Sequence, residues 1–411
     1  MKETLAATLN IELHTEYLLP RFDENTMTRK VLISLFFLGA LYITIAYIYN
    51  TQFTQTAIFD RTSVTEEFIK STEDIKKKDT VNILIIEGGG VRGLIPLYII
   101  QYLESRLGKP ISELFDVYSG VSTGAAIASG INVPFESIPE YRGGDLTATE
   151  YMIKVYQEDT DYVFSSPWYH KLLTAGGLFS PSFLGDRLHK TLVKHYSKNL
   201  PFTELKNYVI IPALDVHSGK IHLFKNRGAS VTDLPTNTTY QLVTASVSAE
   251  TAFPPVIFRA ADGETKHRFF ADAGMAINNP TSLILLDIIK EFPGKNYYFL
   301  ILGAGNPPLA GAKISYDQIK NWGRLRWLRD AFSNIQISMD HQQIFTLEIA
   351  KSLSSKGRIE YDYLDIDIAE PFVGIFDAHS KEHLRAYADQ LIEDNRPTLE
   401  RIIKHLQQQN Q

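Results

Sequence analysis

The chain has 411 residues, of which 44% are hydrophobic and 21% charged, values of ordinary folded proteins that exclude a disordered or collagen-like polymer. Forty-one basic against 47 acidic residues give a net charge of −6, without the basic excess of a nucleic-acid binder. The absence of cysteine excludes disulfides, zinc–thiolate sites, iron–sulfur clusters and a cysteine nucleophile.

Residues 1–30 form a polar N-terminal segment that ends in Arg29 and Lys30. Residues 31–49, VLISLFFLGALYITIAYIY, carry no charge, and a helix needs about 20 such residues to cross a hydrocarbon core. Tyr42, Tyr47 and Tyr49 gather toward one end, where aromatic belts form. The cations before this run, with Asp60 and Arg61 the next charges after it, predict a single-pass transmembrane helix with a cytoplasmic N-terminus. A cleaved signal peptide starting at Met27 is the rival. The apolar run is longer than a usual signal core, and no small-x-small cleavage site follows it. Residues 50–80 are polar, lack Gly and Pro, and read as a tether whose three lysines, Lys76 to Lys78, form a solvated face.

Beyond the tether, strand-like and helix-like patterns alternate. Strands are predicted at 81–87, 115–119, 208–215, 221–225, 267–271 and 297–302. Helices are predicted at 94–107, 123–129, 184–196, 281–292 and from 380 to the end. The alternation implies an α/β fold with a largely parallel central sheet and helices on both faces. Residues 81–306 read as a catalytic core and 307–411 as a helical extension packed on it.

Three motifs carry chemistry. Gly88-Gly-Gly-Val-Arg-Gly93 follows a predicted strand and opens a helix, where glycines let backbone N–H groups approach an anion or oxyanion. Alone it also matches a dinucleotide-binding turn, but the acidic residue at the right distance, Asp116, starts the next strand rather than ending it. Gly120-Val-Ser-Thr-Gly124 has the pattern of a nucleophile elbow, which lifts Ser122 to a helix N-terminus. Two such turns about 30 residues apart belong to one βαβα unit and emerge side by side at one sheet edge. The third motif, Asp272-Ala-Gly-Met-Ala-Ile-Asn-Asn-Pro280, puts an Asp at the carboxyl end of a strand, at the same edge as the other two turns.

In this order the motifs resemble those of the patatin-like phospholipases: Gly-Gly-Gly-x-Arg-Gly, Gly-x-Ser-x-Gly, then Asp-Gly-Gly/Ala with Asn-Pro soon after. Ala245-Ser-Val-Ser-Ala-Glu-Thr-Ala-Phe-Pro-Pro255 and Leu302-Gly-Ala-Gly-Asn306 are similar to further family segments, as Trp322-Gly323 is more loosely. The resemblance implies a three-layer patatin-like fold and a lipid acyl hydrolase with a Ser–Asp dyad, Ser122 the nucleophile and Asp272 the base. Gly88, Gly89, Gly90, Val91, Arg92 and Gly93 would form the oxyanion hole, with Gly120 and Gly124 shaping the elbow. Beside the Asp, Gly274 keeps the pattern, while Ala273 stands where the family usually has Gly. The partners implied are a phospholipid or other lipid ester and a bilayer, with no nucleic acid, cofactor or metal. A Ser–His–Asp triad stays open through His341, His379, His383 and His405, the histidines after Asp272. A nucleotide-binding oxidoreductase and a catalytically silent membrane scaffold are the readings from other classes.

Overall fold

The computed structural model describes residues 27–52, 57–60, 71–138, 141, 144–228, 237–259, 267–306, 344–346, 348–349, 351–352, 359–369 and 372–409. The strands among them are β1 (Ile58–Asp60), β2 (Thr80–Ile86), β3 (Val117–Gly120), β4 (Tyr208–Asp215), β5 (Lys220–Lys225), β6 (Val256–Arg259), β7 (Arg268–Ala271), β8 (Asn296–Leu302) and β9 (Ile359–Leu364). They form one sheet in the order β1-β6-β7-β4-β3-β2-β8-β9, with β5 attached to β4. Pairing is parallel except for β4–β5, β4–β7 and β6–β7.

Among the described residues, besides a single helical turn at Glu73–Lys76, the helices are α1 (Met27–Gln52), α2 (Leu94–Leu107), α3 (Thr123–Gly130), α4 (Ala148–Val163), α5 (Trp168–Leu173), α6 (Gly185–Tyr196), α7 (Thr239–Val247), α8 (Thr281–Glu291), α9 (His383–Asp394) and α10 (Arg396–Gln409). The sheet lies between two helical layers because β2 and β8 are apolar on both faces. Leu84, Ile86, Leu300 and Leu302 pack with α2, α3, α4 and α9 on one side. Val81, Ile83, Ile85, Phe299 and Ile301 meet Ile284, Leu285 and Ile288 of α8 on the other. The two-residue period of a strand thus supplies both cores.

Three sequence expectations need correction. The 50–80 tether contains β1, which pairs with β6. The extension at 307–411 is not only helical, because β9 adds a strand that pairs with β8 along its whole length. Its sequence, IEYDYL, alternates carboxylates with larger side chains and lacks an apolar run, as suits a strand paired on one side. The C-terminal helix is two helices, broken at Asn395, with Pro397 placed in the first turn of α10, where a missing N–H is tolerated.

The N-terminal helix α1 is a separate unit. Its stretch Lys30–Thr51 spans 22 residues with a mean hydropathy of 2.3, long and apolar enough to cross a membrane, a test that a signal sequence also passes. The hydroxyls of Thr44 and Thr51 donate to the carbonyls of Ala40 and Tyr47, so both are satisfied within the helix.

Candidate active site

Strand β3 ends at Gly120, and Ser122 follows with φ 54° and ψ −122°, a sparsely populated conformation for a residue with a side chain. Two glycines make this turn possible. A Cβ on Gly120 would sit 2.4 Å from the Gly124 carbonyl carbon, and one on Gly124 would sit 2.1 Å from the Ile86 oxygen. The serine therefore stands at the N-terminus of α3, where the first amides have no acceptor within the helix.

The glycine turn leaves the sheet beside it, since Ile86 of β2 is in register with Gly120 of β3. A Cβ on Gly88 would lie 2.4 Å from Asn278 Oδ1 and 3.3 Å from Ser122 Cβ, so only bare backbone fits against the serine. The Gly88 N–H donates to the Asn278 carbonyl at 3.3 Å, Val91 N–H to the Ile375 carbonyl at 2.8 Å and Arg92 N–H to the Gly89 carbonyl at 3.1 Å. That leaves the amides of Gly89 and Gly90 with no acceptor among the described residues. Val91 is thereby removed from the expected set of oxyanion donors. Gly90 has φ +57°, and a Cβ there would lie 2.0 Å from the Ile375 oxygen. Gly93 admits Thr123 Oγ1, which a Cβ would approach to 2.5 Å.

Arg92 braces the turn from behind. Its Nε donates to the Val373 carbonyl at 2.8 Å and one terminal nitrogen to the Gly305 carbonyl at 2.9 Å, with Phe372 under the guanidinium. Burial lowers its pKa to about 10, against the pull of Asp365. A guanidinium held this way is a strut and does not face the serine as a donor to substrate.

Asp272 reaches the serine by a different route from the one its strand position suggests. β7 runs antiparallel to β4, so the carboxyl-edge argument does not apply to it. The pairing of β3 with β4 stops at Ser119 opposite Ile210, and β7 meets β4 beyond that point, Ala271 opposite Leu214. The short offset strand delivers Asp272 to the space above Gly120. Ala273 fits without strain: it is not among the residues with positive φ, and its methyl is buried with Val121 and Ile277.

The Asp272 carboxyl is buried. Oδ1 accepts the Gly274 N–H at 2.8 Å, while buried Oδ2 has no hydrogen bond of normal geometry. Burial pushes the carboxyl from the ordinary 3.8 to about 7; the Ser122 hydroxyl and the Gly274 amide oppose the rise, and the Glu250 charge adds to it. The serine hydroxyl is thus near enough to act on the carboxyl, in the loose arrangement common in unliganded sites. Burial also raises the Glu250 carboxyl above its ordinary value, and its Oε2 has no hydrogen-bond partner among the described residues.

Two cavities meet at Ser122. One, of about 270 Å³, is lined by Gly88 to Gly90, Glu250, Asp272, Met275 and Asn278 among others. The second, of about 100 Å³, runs between α4, α6 and the end of α7, with walls that include Ala126, Met152, Val155, Leu188, Leu192 and Phe253. Gly90, Ala249 and Phe376 border both.

Of the later histidines, His379 is exposed near Asp161, His383 lies by Glu382, and His405 stacks on Tyr298, so none is at Ser122; His341 lies outside the described residues. His195 does border the apolar cavity, but its nitrogens already meet Tyr151 Oη at 2.7 Å and Asp159 Oδ2 at 2.5 Å. Asp116 accepts the Asn82 amide at 2.8 Å and pairs with Lys78, a structural role that leaves the dinucleotide reading without its acid. Among the described residues no cluster of His, Asp and Glu fits a metal ion. Sequence reasoning missed Glu250, Val373, Ile375 and Phe376; only the first stood inside a recognised segment.

Comparisons with known proteins bear on the family of this chain. Residues 84–285 match the family model described as patatin-like phospholipase. Patatin-like protein 2 of Arabidopsis thaliana is 27% identical over 76% of this chain and 83% of its own length. Patatin group J-1 of Solanum tuberosum is 24% identical over 61% of this chain and 67% of its own. Among solved structures, VipD from Legionella pneumophila covers 76% of this chain and 67% of its own at 15% identity, with a TM-score of 0.32, too slight a likeness to add to the fold described above.

Proposed function

We propose, for a chain that belongs to the patatin-like phospholipases and is therefore a lipid acyl hydrolase, that Ser122 and Asp272 form the catalytic dyad. The observation that carries this reading is the buried Asp272 Oδ2, which lacks a settled partner beside a serine held at positive φ. On this reading Ser122 Oγ attacks the acyl carbon while Asp272 takes the hydroxyl proton. The oxyanion receives the free amides of Gly89 and Gly90. Collapse expels the alcohol, which leaves with the proton from Asp272, and an acyl-enzyme remains. Water then attacks that ester with Asp272 again the base, and collapse breaks the bond to Ser122 Oγ, which takes the proton back from Asp272 as the carboxylic acid departs.

The substrate is a phospholipid or a related lipid ester. The apolar cavity supports the acyl side, since its walls offer no charge within reach of the chain except at the Asp159–His195 end. The wider cavity, with Glu250 at its wall, takes the leaving group. Helix α1 serves as a single-pass anchor with its N-terminus in the cytoplasm, which keeps the catalytic unit at the bilayer.

The test is product analysis by mass spectrometry, with the purified full chain and phospholipid in mixed micelles. Free fatty acid and lysophospholipid are expected, and Ser122→Ala should reduce their rate by on the order of 10⁴ to 10⁶ at an unchanged melting temperature. Retention of more than about one per cent of the rate by a folded Ser122→Ala protein would refute the assignment.

A further inference from the structure

We propose that the segment around α5, residues 162–179, is a membrane-contact knob that rests in the headgroup region of a lipid bilayer and sets the mouth of the Ser122 site against it. It rests on the lipid-ester reading above. The first observation is exposure of large apolar groups in one short stretch: Trp168 is 76% exposed, Leu178 75%, Phe179 65% and Leu172 54%. Tyr162 and Tyr169 are exposed beside them. Clusters of this kind on a soluble surface mark an interaction site, and the mixture of Trp, Tyr, Leu and Phe is that of groups which sit at a membrane interface.

The second observation is charge. From residue 162 to residue 185 the chain has no Asp or Glu, although it has 47 such residues in all, and its one Lys or Arg there, Lys171, is exposed. A surface without carboxylates that presents one cation suits a zwitterionic or anionic headgroup layer. A docking surface for a basic or mixed-charge protein would keep acids.

The third is that the knob is preformed. Ala175, Gly176 and Gly177 take positive φ, and the turn closes on itself through Gly176 N–H to the Lys171 carbonyl and Phe179 N–H to the Thr174 carbonyl. The buried Thr174 hydroxyl donates to the His170 carbonyl, and His170 Nε2 meets the Pro181 carbonyl at 2.9 Å. Leu178 and Phe179 are therefore held outward by a braced turn.

The fourth is continuity with the site. Ser182 N–H donates to the Thr251 carbonyl and Phe183 N–H to the Ala252 carbonyl, each at 2.9 Å. Thr251 lines the wider cavity, together with the exposed side chains of Met275 and Ile375. The apolar rim of the mouth and the knob are thus joined through one loop, and a lipid that leaves the bilayer there crosses little water.

The direct test is fluorescence. The chain has three tryptophans, so Trp322→Phe with Trp327→Phe leaves Trp168 as the only reporter in the full chain. Reconstituted into phosphatidylcholine vesicles, Trp168 should emit to the blue of its position in water and lose about half or more of its intensity when brominated phosphatidylcholine replaces the ordinary lipid. Equal emission in both kinds of vesicle overturns the proposal and leaves the surface to a protein partner. A second arm introduces Leu178→Asp with Phe179→Asp, outside the catalytic machinery. Turnover of vesicle-embedded phospholipid should fall about tenfold or more, while that of a short-chain, water-soluble ester stays within about twofold. Parallel loss on both substrates, or none on either, counts against the knob. If the wild-type protein cleaves neither substrate, the hydrolase reading fails, and the quenching of Trp168 still decides the contact.

Discussion

The two turns that flank the candidate site are built by opposite means. The elbow at 120–124 is held from within: its glycines exist because the neighbouring strand's Ile86 carbonyl and its own Gly124 backbone leave no room for a Cβ. The turn at 88–93 is held from outside, by the carbonyls of Gly305, Val373 and Ile375, more than 200 positions along the chain. On the proposed reading, a nucleophile placed by local strain is insensitive to distant parts of the molecule. Oxyanion donors aimed by a remote strap, as proposed for Gly89 and Gly90, would inherit every disturbance of it.

The largest expected effect falls on the residue that both turns serve. Asp272→Asn keeps the shape and removes the base, so turnover should drop as far as with Ser122→Ala, by on the order of 10⁴ or more. The wild-type rate should fall as pH drops through about 7, the value to which burial raises Asp272. Stability moves the other way. Because the folded pKa lies above the ordinary 3.8, the folded chain keeps a proton that the unfolded chain has lost between those values, and stability declines as pH rises toward about 7. Asp272→Asn should therefore be more stable than wild type at pH 8, by on the order of 2–4 kcal/mol, with little difference at pH 4. Thermal melts at both pH values check this, and an equally stable variant at pH 8 would deny that the carboxylate is buried at a cost.

Next comes the contact between the glycine turn and its strap. Gly90→Ala puts a methyl against the Ile375 carbonyl at a positive φ, so kcat should fall by on the order of 10² to 10³ through loss of an oxyanion donor. Near-normal kinetics in a folded variant would mean that this turn does not receive the oxyanion. Arg92→Lys is milder: a lysine cannot reach both carbonyls with a planar fork, and kcat should decline roughly 10- to 100-fold with KM little changed. A comparable change in KM alone would place Arg92 in substrate binding instead. The smallest effect is expected from Glu250→Gln. One negative charge fewer beside Asp272 should move the acid limb of the rate profile to lower pH, with the plateau rate largely kept. An unmoved limb would separate Glu250 from the base.

The same contrast explains what the sequence disclosed. The elbow, β2, α2 and β4 were legible because periodicity and glycine spacing encode local constraints: α2 and β4 occur at the predicted residues, and β2 is displaced by one. Asp272 was found through its motif, although its strand, β7, runs antiparallel to β4 and so does not bring it to the carboxyl edge. β1, β6 and β9 escaped because strands of three to six residues near the sheet margins carry too few apolar positions to show a period. The acceptors for Val91 and Arg92 escaped for a deeper reason. They are main-chain carbonyls, and any residue type supplies one, so no side chain at 373 or 375 announces the role.

That anonymity has a consequence for the order in which the enzyme is made. Asp272, made after Ser122, leaves the ribosome about 100 residues before Ile375, an interval of roughly 5–20 s at 5–20 residues per second. On the proposed reading the nascent chain then holds its nucleophile and base with nothing to fix the direction of the oxyanion amides. β9, which pairs with β8 and precedes the strap, is missing as well. On the proposed reading the hydrolase is inert until the last part of its sheet is in place, and competence arrives with the carbonyl of residue 375.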